Sequence, residues 1–407
     1  MSAAEPIYLE PAALDTQAEA ALRALREHDT VVPVDLPEGL RVWVITRYQE
    51  SRKALTDPRF VKDMRRLQDP EHGFAGQRYA EDILATEGRH MLNSDGAEHT
   101  RLRSAVASYF TAQATVGHEA QIRQIAATLT EKVASQERVD LMSTYAQPLP
   151  ELVIGRILGV PDHTMPVIGR LSRQLSGRDN PATAPMRRAY SDLVDLVRDL
   201  TTHPPTDDAQ TVISGLRKAV ARGDLSRREA VSSLMLLFAA GISTTATGIG
   251  HAAATLMYTH AALRPLLGSA KDAACLIDEI LRHHPPIPFA SWRFAPLDVP
   301  VGSTTIPAGS PVLILLASAN RDPAAFPAAD ELVPDRQTTP AHLAFGRGPH
   351  YCIGVHLARL EIRIGLQTLF ARLPDLQLIN PHEHTTWRGL LIDRTITSLP
   401  VITQTSP

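Results

Sequence analysis

Phe345-Gly346-Arg347-Gly348-Pro349-His350-Tyr351-Cys352-Ile353-Gly354 decides the reading of this chain, because glycines, a proline and a cysteine crowd together just before an amphipathic run. Glycine lets a backbone turn sharply and come close to a flat ligand. Amides at a helix N-terminus stabilise an anion, so a cysteine there is poised to become a thiolate. The only other cysteine is Cys275, too few for a disulfide framework or a four-thiolate iron–sulfur cluster. By itself Cys352 would read as a buried cysteine in a tight turn. Other segments of the chain point to chemistry instead.

With 407 residues, a formal charge of −3 and 44% hydrophobic content, the chain can bury a large core without staples. Near-neutral charge gives no global case for nucleic acid or an anionic membrane as partner. The first residues carry acids and no long apolar run, so no secretory signal is read, and few cysteines suit a reducing, cytosolic location. From Ala230 to Leu263 there is no Lys, Arg, Asp or Glu, a stretch long enough to span a membrane. Ser232, Gly241, Ser243, Thr244, Thr245 and Gly248 dilute it and no aromatic belt flanks it, so a helix buried on all sides is expected.

Arg41–Tyr48 is a β-like run, followed by a helix and the stop Asp57-Pro58. Gly177–Pro185 and Thr201–Asp208 read as surface loops. Ser226 and Glu229 form a capping box that opens the charge-free helix. Running to about Thr259, that helix would be roughly 50 Å long and cross the molecule. A helix ending at His283-His284-Pro285-Pro286, short strands over Val299–Leu315, and a last helix from about Cys352 to Leu373 closed by Pro374 follow. The pattern is mainly α with a small β region, without repeats or a domain linker, so residues 1–407 are read as a single domain.

The Cys352 segment resembles the haem-binding loop of the cytochrome P-450 family: Phe345, Gly348, His350, Cys352 and Gly354 fill every place of its pattern. The likeness extends from Trp43–Tyr48 and Leu55–Arg59 to Arg388-Gly389 and Ser398–Val401. It implies one domain shaped as a triangular prism, with the long helix over a b-type haem. It also implies that Cys352 is the axial iron ligand, Phe345 packs near its sulfur and His350 holds a haem propionate, with Gly346 and Gly354 beside the cofactor. A thiolate ligand pushes electron density onto iron.

Three further segments carry family patterns. Glu279-Ile-Leu-Arg282 puts acid and base on one helix face; the resemblance makes it a buried structural lock completed by Arg336. Asp95-Gly-Ala-Glu-His99-Thr-Arg-Leu-Arg103 looks like the family's propionate-binding helix. Carboxylates shielded from water need forked cations, so His99, Arg103, Arg293 and His350 form the implied propionate set, while Arg101 and Arg363 read as solvated charges. Ala239-Ala240-Gly241-Ile242-Ser243-Thr244-Thr245 resembles the family's oxygen-binding stretch, with Ala240 and Gly241 against the haem and Thr244 and Ser243 as catalytic hydroxyls. Ser243 replaces the family's acid, and no carboxylate occurs between Glu229 and Asp272. A serine orients water but is no proton source near neutral pH.

His382-Glu-His384 lacks zinc spacing, His283-His284 reads as structural, and no phosphate-binding glycine motif is present. Electrons are therefore expected from a ferredoxin and its reductase, docking around Arg101, Arg347, Arg359 and Arg363. The resemblance implies an oxidoreductase, a monooxygenase that uses haem iron and O2 on a small organic substrate in the style of secondary metabolism. Alternatives are an oxidative ring-forming or coupling enzyme of the same family, or a haem sensor without turnover. Pocket walls are expected from Phe74–Met91, Gly169–Tyr190, Leu236, Ala239, Ser243, Ile287–Ser291 including Phe289, and Leu391–Thr395 including Ile392. Their mixed character suggests a medium or large substrate, partly oxygenated or amide-bearing.

Overall fold

The computed structural model describes residues 7–8, 18–36, 40–67, 88–175, 184–203, 210–336, 340–379, 386–388 and 395–403. Ile392, His382-Glu-His384, Gly389 and much of the expected pocket wall lie outside them.

The β region is a mixed sheet of β1 (Ile7–Tyr8), β2 (Val31–Leu36), β3 (Leu40–Ile45), β4 (Arg293–Ala295) and β5 (Ser310–Ile314), in the order β1-β2-β3-β5-β4. Alternation sets its two faces. Val32, Val34, Val42 and Val44 join a cluster with Leu25 and Phe294, whereas Val31, Ile45, Val312 and Ile314 face Tyr48 and Phe326. The strand expected to reach Tyr48 stops at Ile45, because Thr46 bonds through N–H and hydroxyl to the Thr30 and Asp29 carbonyls. Tyr48 already opens α1 (Tyr48–Ala54), its N–H held by the Asp322 carboxylate at 2.9 Å.

The main core is helical, built from α2 (Gly96–Ala107), α3 (Glu119–Ala134), α4 (Pro148–Leu158), α5 (Arg227–Met257), α6 (Ala270–His283) and α7 (Val355–Arg372). The capping box forms as expected: Glu229 N–H donates to Ser226 Oγ at 3.2 Å and Ser226 N–H to Glu229 Oε2 at 2.7 Å. Helix α5 is long and apolar enough to cross a membrane, but 72% of that window is buried inside the protein, which makes it a core helix. A Cβ on Gly248 would lie 2.9 Å from Ile362 Cδ1 of α7, so a residue without a side chain lets these two helices touch.

Candidate active site

Gly346 and Gly348 adopt φ of 69° and 77°, a region strained for any side chain. A Cβ on Gly348 would also sit 2.9 Å from Thr56, so the loop packs on the end of α1. The turn closes where Cys352 N–H donates to the Phe345 carbonyl at 3.0 Å. That bond holds Cys352 outside the helix, which starts at Val355 with Gly354 as N-cap rather than at the cysteine. Open space faces Gly354, with no atom within 4 Å of a Cβ position. Burial pushes the Cys352 thiol up; the Gly354 N–H and the charges of Arg103 and Arg359 oppose this without prevailing.

Beside the loop lies a cluster of buried imidazoles and a buried guanidinium. The rings of His99 and His350 stand 4.3 Å apart, and His350 Nε2 is 3.9 Å from Asp95 Oδ1. Burial pushes His350 down to about 3 and lowers His99 too. His99 Nε2 is buried with no hydrogen-bond partner among the described residues. Arg293, only 3% exposed, has one hydrogen bond among the described residues, to the Ser291 carbonyl at 3.2 Å. Burial lowers its guanidinium to about 10. Arg103 turns toward the cysteine loop and donates to the Tyr351 carbonyl at 2.7 Å. Buried cations and an unpartnered imidazole fit an anionic ligand with more than one carboxylate. Sequence reasoning missed Lys62, 5% exposed, whose ammonium donates to the Ser291 carbonyl at 3.0 Å; no motif marks it.

Above this region α5 opens. Ala230 to Phe238 are buried throughout, then Ala240 is exposed and Ala239, Gly241, Ser243 and Thr244 are half-buried. Thr244 Oγ1 donates to the Ala240 carbonyl at 2.6 Å and Ser243 Oγ to the Ala239 carbonyl at 3.3 Å. Two expectations need correction. Gly241 does not clear room for a cofactor: a Cβ there would meet Ile154 Cγ1 of α4 at 3.1 Å, so it serves helix packing. Phe289 is fully buried with Trp292, Phe294 and Val61 under the sheet, because Phe289 bridges to Leu315, and it forms no open wall. Leu236 is also buried, at 4% exposure.

Residues 274–376 match the Cytochrome P-450 family model. The vitamin D(3) 25-hydroxylase of Pseudonocardia autotrophica is 37% identical over 94% of this chain and 92% of its own length. The tirandamycin C-bound P-450 monooxygenase TamI superposes with a TM-score of 0.87 at 33% identity, covering 98% of this chain and 100% of TamI. The chain belongs to the cytochrome P-450 family. Another solved cytochrome P-450, CxnD, described as acting in C–S bond formation in chuangxinmycin biosynthesis, has a TM-score of 0.88 at 28% identity over 98% of both chains. Membership in this family of monooxygenases brings a haem-thiolate cofactor and O2 as oxidant.

In this cytochrome P-450, Arg282 uses all five of its N–H donors. Two go to Glu279, at 2.7 and 2.8 Å, and the rest to the carbonyls of Asn320, Ala329 and Glu331. Arg336 Nε reaches Glu279 Oε1 at 3.0 Å and Val333 N–H reaches it at 2.9 Å. Burial alone would raise the Glu279 carboxyl, but these donors together hold it below the ordinary range. Of the arginines expected to be free, Arg363 is 15% exposed beside Gln367 and Glu119, and Arg101 pairs with Glu229. Arg359 is bound to Asp278 at 2.6 Å and lies 4.9 Å over the Phe345 ring. Of the expected docking set, Arg347 alone is exposed without an ion pair among the described residues.

Proposed function

We propose that this single-domain cytochrome P-450 oxidises a medium or large organic substrate of secondary-metabolite type, with Cys352 as the axial ligand and electrons from a ferredoxin. One observation supports the reading above others: Cys352 closes a strained glycine turn beside the buried Arg293 guanidinium and a His99 imidazole whose Nε2 has no hydrogen-bond partner among the described residues. When bound, the haem-thiolate supplies O2 activation and transfer of one oxygen atom. Cys352 Sγ holds the iron. His99, Arg293 and His350 hold the propionates, and Arg103 braces the cysteine loop through Tyr351. Ala239 and Ala240 keep that side of α5 low, which leaves room for dioxygen and substrate. Thr244 donates its hydroxyl hydrogen bond to the Ala240 carbonyl, which leaves its oxygen to accept hydrogen bonds from the cavity side. Glu279, Arg282 and Arg336 hold the fold beneath the site.

The acidic partner docks over the cysteine loop. Arg347 lies close to the exposed Arg52 and Lys53 of α1, since Arg347 and Arg52 both act on Tyr48, and Tyr351 is 38% exposed beside them. Arg101, Arg359 and Arg363, with their own partners, are left out of that surface.

A second reading has its own support. Neither Ser243 nor Thr244 has a free proton to give, and a similar cytochrome P-450, CxnD, forms a C–S bond. Oxidative coupling, in which a substrate radical is trapped before oxygen transfer, suits such a site. Turnover of a bound metabolite with a ferredoxin system under 18O2 separates the two: label in the product supports oxygen insertion, and product without label supports coupling. Absence of any product would favour the sensor alternative.

A further inference from the structure

Asp278 and Arg359 join α6 to the helix that follows the cysteine loop. Arg359 Nε donates to Asp278 Oδ1 at 2.6 Å and its Nη2 to Oδ2 at 3.1 Å, so both carboxylate oxygens grip the guanidinium. A forked pair of this kind fixes direction as well as distance. Held this way, the guanidinium lies 4.9 Å over the ring of Phe345. The Phe345 carbonyl is the acceptor that holds Cys352 N–H. His342 belongs to the same cluster: its ring lies 6.0 Å from that of Phe345, and its Nε2 stands 3.5 Å from Asp278 Oδ1. One carboxylate thus reaches both groups beside the Phe345 ring.

That carboxylate is itself well fixed. Asp278 precedes Glu279 of the lock, so the turn of α6 that carries it is pinned through Arg282 and Arg336. Burial alone would raise the Asp278 carboxyl, but His342 and Arg359 hold it below the ordinary range and keep it charged. The charge of Arg359, like that of Arg103, favours the anion at Cys352. The Arg359 and Asp278 side chains are 35% and 32% exposed, and a partly buried pair is screened less than a surface one.

We propose that Asp278 is a positioning residue of the haem site: it holds the Arg359 guanidinium over Phe345, where the fixed positive charge raises the ferric/ferrous potential of the thiolate-bound iron. This rests on the haem reading above and extends the site to a pair on α6 and α7 outside the propionate set. The merely structural alternative is that the pair only ties α6 to α7, in which case its two members affect the potential independently.

The test is a double-mutant cycle on the substrate-free holoenzyme: wild type, Asp278→Ala, Arg359→Gln and the double variant, each first shown to give the reduced-carbonyl spectrum of thiolate ligation. The ferric/ferrous midpoint potential is read by spectroscopic titration. With Asp278 in place, Arg359→Gln should lower the potential, on the order of tenfold in the redox equilibrium or about 59 mV for one electron, because loss of a cation favours the ferric state. In the Asp278→Ala background, where Arg359 is no longer held, the same substitution should have less than half that effect. An Asp278→Glu background, which keeps a carboxylate, should restore most of it. An Arg359→Gln shift that is equal or larger in the Asp278→Ala background overturns the proposal, as does no shift in either. If Asp278→Ala or Arg359→Gln yields no folded holoenzyme, Asp278→Asn or Arg359→Met takes its place under the same criterion. A wild-type protein without the thiolate spectrum fails the haem reading itself and is recognised before any variant is compared.

Discussion

The hydroxyl of Thr244 donates to the carbonyl of Ala240 one helical turn back, at 2.6 Å, at the point where α5 opens. Ser243 does the same toward Ala239 at 3.3 Å. Both hydroxyls are engaged by carbonyls of their own helix. Ser243→Ala should therefore leave the coupling of electron use to product within about twofold, because no proton donor is removed. Coupling measured as product per NAD(P)H consumed tests this. A large fall for Ser243→Ala that Ser243→Asp restores would show that protons do pass through residue 243.

Gly241 is placed by Ile154 rather than by the cofactor. Gly241→Ala overpacks the contact between α4 and α5 and should destabilise the protein by about 1 to 3 kcal/mol, and Gly241→Ala with Ile154→Val should regain part of it. Denaturant midpoints measure the effect. A perturbed haem spectrum with unchanged stability would contradict this placement.

The buried lock of Glu279, Arg282 and Arg336 makes a stability prediction with a defined pH sign. Arg282→Met leaves a buried carboxylate with Arg336 as its remaining side-chain partner and should cost about 3 to 5 kcal/mol. Because the folded carboxyl is held below its ordinary value of 4.5, its contribution is complete above that pH. It is lost as pH falls through the lower folded value. Unfolding midpoints followed from about pH 5 down to about pH 3 should fall less steeply for Glu279→Gln than for wild type; an equal slope would count against the lock.

The docking surface predicts a contrast among arginines. Charge reversal at Arg347 or Arg52 should slow reduction by ferredoxin, more at low salt than at high salt. Arg101→Glu breaks its pair with Glu229 and should change the rate little. Stopped-flow reduction across ionic strengths checks it, and equal sensitivity of all three positions would rule the surface out.

Much of this was legible in the sequence where local rules act. The capping box at Ser226 and the apolar run behind it predicted α5 nearly to its last turn, because cap chemistry and burial are both written within the helix. Glu279 and Arg282 share a turn, so their pairing was readable, whereas the three carbonyls that complete Arg282 come from distant residues. Lys62 was missed because its burial depends on Ser291 and Asp95, which only tertiary packing brings to it. Gly241 was misassigned for the same reason: sequence shows that a side chain is missing, and only the fold shows which neighbour fills the space. Arg101 and Arg363 looked free because the acids that hold them lie on other elements.

The central claim is that Cys352 ligates the haem iron. The absorption spectrum of the dithionite-reduced, carbon monoxide-treated protein tests it most directly, with wild type beside Cys352→Ala. Wild type should show the red-shifted Soret band of thiolate ligation, and Cys352→Ala, with Cys275 still exposed on α6, should lack it. A Cys352→Ala protein that kept the band would contradict the assignment of Cys352 and the account of the site built on it.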